Sequence, residues 1–188
     1  MKSSSSETST HDCEIRLNER KTYSEIYLEI GLEVLPVEEV GKLIANLLNK
    51  MVSINEGPTP PKTIFHSKVI PGISIEKYLI RLAQYARCSS ESFVMALIYI
   101  DRYFEKNISQ SLIPKNVHKL FFISLVTAAK FNDDLKLANW AFAKLGGMDK
   151  ADLCMLEIQY LRAIEFNVYV SSIEYVNYLK SVVEFRTE

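Results

Sequence analysis

The run from Leu120 to Lys130, which reads LFFISLVTAAK, places the strongest constraint on how this chain can fold. Ten residues pass without a charge before Lys130 appears. A membrane-spanning helix needs about 20 apolar residues, so this run is too short to cross a bilayer. A helix that is apolar on all sides is typical of the centre of an all-helical domain. Lys130 emerges from that centre, and its ammonium group needs solvent or a partner.

Charge and cysteine content argue against several classes of function. The 22 basic residues balance 23 acidic ones, so no overall field favours nucleic acid or an anionic membrane. The chain does not open with a basic, then apolar, secretion signal, and its cysteines form no CxxC pair. Those cysteines are Cys13, Cys88 and Cys154. This pattern is typical of a reducing compartment, and we expect an intracellular protein of the cytoplasm, the nucleus or both.

The sequence also lacks the usual signs of catalysis. His11, His66 and His118 are far apart and show no HxxxH or HExxH spacing, so we expect no metal site. No phosphate loop and no nucleophile–base set occurs in the sequence. We therefore expect a protein that is not an enzyme, with no cofactor and no small-molecule ligand. A helical hydrolase using His11 and Asp12 is the weakest hypothesis, because nothing would hold that polar stretch rigid.

Apolar spacing and helix-breaking residues divide the chain into five parts. Pro36 and two following glutamates open an amphipathic helix, which alone would be marginal and must dock on the main domain or on another protein. The parts are a polar, flexible N-terminal segment (1–35, with Thr22–Leu35 left open), the amphipathic helix (36–54), a Pro/Gly linker (55–62), the main domain (63–170) and a C-terminal helix (171–188).

The main domain shows several helices and no strand-like alternation. Ser89 or Ser90 is a suitable N-cap, Pro114 is a suitable first residue for the central helix, and Gly146-Gly147 is a suitable stop. The predicted helices are Ser74–Arg87, Ser89 or Ser90 to about Phe104, Pro114–Lys130, Asp133 or Asp134 to Gly146, Asp149 to Ile164, and Ser172–Val183.

Three motifs follow one another along the predicted helices of the main domain: ALIYIDRY at Ala96–Tyr103, Ala128-Ala129-Lys130, and Leu156-Glu157 followed by Leu161, Ile164 and Phe166. They resemble, in this order, the ends of the second and third helices and the fifth helix of the cyclin box. Details similar to P- and U-type cyclins, the phosphate-pathway group, are Ile73-Ser74-Ile75, Cys88-Ser89, Val117-His118 and Gly146-Gly147. Only 18 residues follow Val170, so we expect a single box at 63–170.

The resemblance implies an all-α protein, in which a five-helix cyclin box surrounds a buried central helix and an extra N-terminal amphipathic helix packs beside it. It implies a regulatory subunit that binds a cyclin-dependent serine/threonine kinase and activates it by positioning the kinase's C-helix. Lys130 and Glu157 match the pair that hydrogen-bonds the kinase backbone. Phe131, Leu161 and Phe166 match apolar positions that pack on the C-helix.

Simpler interpretations stand beside these roles. Lys130 and Glu157 could pair with each other inside one monomer. Asp101-Arg102 matches a structural ion pair inside the box and is not expected to be catalytic. Asp133 and Asp134 could face the kinase, although helix capping is simpler.

Two further points concern function as a whole. The Met-Arg-Ala-Ile-Leu patch with which mitotic cyclins dock Arg-x-Leu substrates is replaced here by SIEKYL at Ser74–Leu79, so substrates must dock in another way. The alternative function is a cyclin-fold scaffold or transcription-type adaptor without a kinase. The even charge balance weighs against a nucleic-acid adaptor.

Overall fold

The structure is a computed structural model that describes residues 35–55 and 57–185. These residues form seven α-helices and no strand, which confirms the all-α prediction. The predicted N-terminal segment 1–35 lies, except for Leu35, outside the described residues. The helices are α1 (Val37–Ile54), α2 (Ile75–Tyr85), α3 (Ser90–Lys106), α4 (Val117–Asn132), α5 (Asn139–Gly146), α6 (Lys150–Ala163) and α7 (Ser172–Glu184).

Helix α4 is the centre of the bundle, as the apolar run predicts. Every side chain from Leu120 to Ala129 is buried. The helix contacts α2, α3, α5 and α6, so these four helices surround it and the five together form the bundle. The predicted start at Pro114 was wrong, because the helix begins at Val117 and Pro114 lies in the preceding turn. Its last residue is Asn132, two residues beyond Lys130.

Two helices lie outside this five-helix bundle and pack against it. The amphipathic helix α1 buries its apolar stripe on α2 and α3, where Ile44 and Leu48 are fully buried. Pro36 is its N-cap rather than its first helical residue. Helix α7 packs on α3 and α1, and Tyr175 and Leu179 lie in the shared core. The apolar stripe of α1 is therefore buried against other helices of the same chain.

Side-chain caps set the ends of several helices. Ser74, Ser89 and Ser171 each accept a hydrogen bond from a backbone N–H in the first turn of α2, α3 and α7. Such caps satisfy donors that a helix start leaves free. Of the two serines predicted for α3, Ser89 is the cap.

The predicted start of the short helix α5 was wrong by five or six residues. Its N-cap is Ala138 rather than Asp133 or Asp134. The carboxylate of Asp133 instead accepts hydrogen bonds at the start of α3, from the Ser89 N–H (3.1 Å), the Ser89 hydroxyl (2.6 Å) and the Ser92 hydroxyl (2.9 Å). Asp134 is exposed. Asp133 therefore does not cap α5, and its carboxylate instead holds Ser89, the N-cap of a helix that is distant in sequence.

Candidate functional site

Lys130 and Glu157 form an ion pair that joins the last turn of α4 to the middle of α6. The Lys130 Nζ lies 2.6 Å from Oε1 and 2.7 Å from Oε2 of Glu157. The side chains are 26% and 16% exposed, so the pair sits at the boundary between core and solvent. In the free chain, Lys130 and Glu157 therefore pair with each other within one monomer. Both charges still reach the surface.

Exposed or half-buried apolar residues lie near this ion pair along α4 and α6. Phe131 follows Lys130 and is 51% exposed. Leu161 is half-buried and lies one helical turn after Glu157, on the same face of α6. Phe166 is 62% exposed, and its N–H donates to the Leu161 carbonyl over 2.7 Å. The five residues predicted to bind a kinase are thus at least partly exposed, and they lie at the end of α4, on α6 and in the turn that follows α6.

Ile158 is a further surface residue that the sequence interpretation did not name. It is 49% exposed and follows Glu157 directly on α6. The buried side of α6 is formed by Leu153, Leu156 and Tyr160, which leaves Ile158 off the apolar stripe. An apolar residue that falls off the buried stripe of a helix is the sequence signal that would have identified it.

The turn after α6 has an unusual backbone at this same surface. Glu165 and Phe166 both have positive φ, at 53° and 57°. Residues other than glycine rarely adopt this left-handed region, because Cβ crowds the following carbonyl. Two in succession persist only where surrounding contacts enforce them. The turn sets the direction in which Phe166 leaves the end of α6.

Asp101 and Arg102 do not pair with each other, and the expectation of an ion pair inside the box was wrong in its partners. Adjacent helix residues point in different directions, so they cannot face one another. The Arg102 guanidinium binds both carboxylate oxygens of Glu174 at 2.8 Å. Asp101 accepts a 2.8 Å hydrogen bond from the Tyr178 hydroxyl. Both residues therefore join α3 to α7, beyond the predicted box.

The histidines of the described region occupy structural positions. Burial lowers the pKa of His66, whose Nδ1 accepts from the Thr63 N–H. Burial also lowers the pKa of His118, whose Nε2 bonds the Ile73 carbonyl. Within residues 35–55 and 57–185, no group of His, Cys, Asp or Glu side chains is placed to hold a metal ion. In the same residues, every helix is too short or too polar to span a bilayer.

Comparison with known proteins agrees with this architecture. The family model for Cyclin matches residues 4–168. Cyclin-U4-2 of Arabidopsis thaliana is 34% identical over 159 residues, which cover 80% of this chain and 71% of the relative. Cyclin-P3-1 of Oryza sativa subsp. japonica is 32% identical over 166 residues, covering 81% and 70%. Cyclin-U1-1 of Arabidopsis thaliana is 35% identical over 136 residues, covering 69% of this chain and 65% of the relative, just under two thirds of its length.

A helical bundle around a buried central helix, matched over most of its length by the family model, defines the class of protein. The chain belongs to the cyclin family. Within that family its relatives are U- and P-type cyclins, so it is a cyclin of the P/U type. Cyclins are regulatory proteins rather than enzymes, and membership of the family supports a cyclin regulatory role for this chain.

Proposed function

We propose that this chain binds a cyclin-dependent serine/threonine kinase and activates it by holding the kinase's C-helix in the active position. The proposal rests on the surface formed by Phe131, Lys130, Glu157, Leu161 and Phe166, which we call the pair surface. The chain itself performs no chemistry in this role. We propose that it acts where such kinases act, in the cytoplasm, the nucleus or both.

The proposal is supported by a partly buried ion pair together with two exposed phenylalanines, one next to Lys130 on α4 and one just after the helix that carries Glu157. Large apolar side chains in water cost free energy that a partner recovers by covering them, and aromatic residues dominate binding energy at interfaces. The pair supplies what an apolar patch lacks, since the Lys130 ammonium carries donors and the Glu157 carboxylate carries acceptors. A helix end on a partner leaves backbone groups of both kinds unsatisfied.

The internal ion pair also prepares the surface for binding. Both side chains are already held in one geometry by two short contacts. Ordering a long side chain at an interface costs about 0.5–1.5 kcal/mol, and a preformed pair reduces that cost. A ligand that binds one of two kinase conformations shifts the kinase toward that conformation. Contact with the active C-helix position alone is therefore sufficient for activation.

The test removes both charges together. Truncating one member would leave the other partly buried and unpaired, which itself destabilises a protein. The Lys130→Ala/Glu157→Ala variant avoids this problem. A hydrogen bond to a charged group contributes about 1.5–3 kcal/mol, so losing two should weaken kinase binding by about a hundredfold or more. Binding and phosphorylation of a peptide substrate would be measured with a panel of purified cyclin-dependent kinases.

The matched control is Glu76→Ala/Lys77→Ala, which removes the same two residue types from exposed positions on α2. This variant should bind and activate like the wild type, and circular dichroism should show both variants folded. Binding without any increase in phosphorylation would disprove activation. If the wild type binds no kinase of the panel, a scaffold or adaptor role replaces this proposal.

A further inference from the structure

The turn that carries Phe166 is held by side chains from another helix. The Tyr99 hydroxyl donates to the Val168 carbonyl over 2.6 Å. The Arg102 Nη1 donates to the Asn167 carbonyl over 2.8 Å. Both donors lie on α3, one helical turn apart, and both bind backbone carbonyls just after Phe166. Both hydrogen bonds are therefore made to the backbone of the turn, and neither is made to a side chain.

Two neighbouring contacts fix the start of the same turn. The Asn107 side-chain amide, just past the end of α3, donates to the Ala163 carbonyl over 3.2 Å. The Lys106 ammonium lies 2.7 Å from the Glu165 carboxylate at an exposed position. An exposed ion pair of this kind adds little. The buried donors, Tyr99 and Arg102, are therefore the main restraints.

Arg102 is itself immobilised. Its second terminal nitrogen binds both carboxylate oxygens of Glu174, and its guanidinium lies 5.7 Å from the centre of the Tyr99 ring. The two terminal nitrogens of this planar group bind different partners, Nη2 the Glu174 carboxylate and Nη1 the Asn167 carbonyl, which restrains its orientation. This orientation aims the remaining nitrogen at the turn. Helix α7, which carries Glu174, thereby takes part in fixing the turn.

These restraints explain how Phe166 keeps both an exposed ring and a left-handed backbone. Phe166 is an aromatic residue with 62% exposure and a left-handed backbone, and each property alone is unfavourable. Without these restraints, we expect the turn to relax toward negative φ. Strain of this kind is found where a side chain must be presented to a partner.

We propose that Tyr99 and Arg102 are positioning residues, which hold the Glu165–Phe166 turn in its left-handed form so that the Phe166 ring projects into the pair surface. The inference rests on the proposed kinase binding for its function, although the holding of the turn is a property of the free chain. The Arg of the Asp101-Arg102 motif then acts on binding through Phe166, without touching the kinase.

The sharpest variant is Tyr99→Phe, which removes one hydroxyl and keeps the ring in the core. We expect Phe166→Ala to weaken kinase binding about tenfold or more, as for an interface aromatic. Tyr99→Phe should weaken it about threefold to tenfold, the effect of one lost hydrogen bond. In the Phe166→Ala background, Tyr99→Phe should have no further effect, because residues that act through one another are not additive.

Hydrogen exchange on the free chain provides a measurement that needs no kinase. The N–H of Phe166 bonds the Leu161 carbonyl and that of Val168 bonds the Phe166 carbonyl. Tyr99→Phe should speed exchange at these two amides more than elsewhere. The matched control is Tyr160→Phe, which removes a buried hydroxyl that bonds the Ser124 side chain and not a carbonyl of the turn. It should leave these amides at the wild-type rate.

The outcomes separate the two proposals. Equal losses of affinity from Tyr99→Phe with and without Phe166 would show a general structural effect and overturn the positioning role. Unchanged exchange at Phe166 and Val168 would overturn it as well. If the wild type binds no kinase, the proposed function fails, and the exchange measurement alone decides whether Tyr99 holds the turn. Glu174→Gln, which weakens the hold on Arg102, should repeat the Tyr99→Phe exchange pattern.

Discussion

Gly146 and Gly147 end α5 for two different physical reasons, and substitution separates them. A Cβ on Gly146 would lie 2.5 Å and 2.6 Å from two ring carbons of Phe122. Phe122 is 1% exposed on the central helix, so the ring has little room to move. A Cβ on Gly147 would meet nothing within 4 Å, but its φ of +68° lies in the left-handed region. Gly146 is thus required by packing and Gly147 by backbone conformation.

The magnitude for Gly146→Ala is the difference between two opposing effects. Overpacking a core costs about 1–3 kcal/mol, whereas Ala in place of Gly at a helical position gains about 0.5–1 kcal/mol. The expected net loss is about 1–2 kcal/mol. For a chain of this size, each kcal/mol shifts the melting temperature by about 2–4 °C. Gly146→Ala should therefore melt lower by about 2–8 °C.

Thermal unfolding followed by circular dichroism tests this difference. Gly72→Ala is the matched control, because a Cβ there also meets nothing within 4 Å and its φ is not in the left-handed region. Its melting temperature should stay near the wild-type value. Asn tolerates the left-handed region, so Gly147→Asn should melt higher than Gly147→Ala. An unchanged or raised melting temperature for Gly146→Ala would refute the packing argument.

Two further predictions concern capping and pH. Asp133→Ala removes the acceptor of the Ser89 N–H and should lower the free energy of unfolding in denaturant by about 1–3 kcal/mol. Asp134→Ala, at an exposed position, should lower it by almost nothing, and equal losses would contradict the role of Asp133 at the start of α3. Burial lowers the pKa of His66 and His118, so the unfolded chain takes up protons below about pH 6.5 that the folded chain does not. The free energy of unfolding should stay constant above that pH and decrease below it. A urea midpoint at about pH 5.5 that equals or exceeds the midpoint at about pH 7.5 would refute this.

Much of the helical framework could be predicted because local sequence determines it. The uncharged run before Lys130 is apolar on all sides, and no arrangement other than central burial accommodates it. Ser89 and Ser171 cap the helices that follow them through bonds within three residues. Such signals are read along the chain and need no tertiary contact. The resemblance to a cyclin box likewise rested on short motifs in order.

The positions that sequence interpretation missed are those whose partners lie far along the chain. Asp133 lies six residues before α5, which it does not cap, and its carboxylate instead binds the N-cap of α3, a helix that begins 43 residues earlier, at Ser90. Arg102 stands beside Asp101 but binds Glu174, 72 residues away. A side chain with several possible partners takes the one that folding brings close, and spacing along the chain does not reveal which.

The candidate site also combines features that the sequence indicated with features that only the tertiary structure decided. The sequence alone indicated Lys130, Glu157 and their apolar neighbours through resemblance, and their role in kinase binding stays a prediction. The tertiary structure decided that the two charges meet, that Phe131 and Phe166 stay in solvent, and that Phe166 leaves α6 through a left-handed turn. Local propensity opposes such a turn at a non-glycine residue, and the backbone carbonyls that follow it accept hydrogen bonds from Tyr99 and Arg102 on α3, which are distant in sequence.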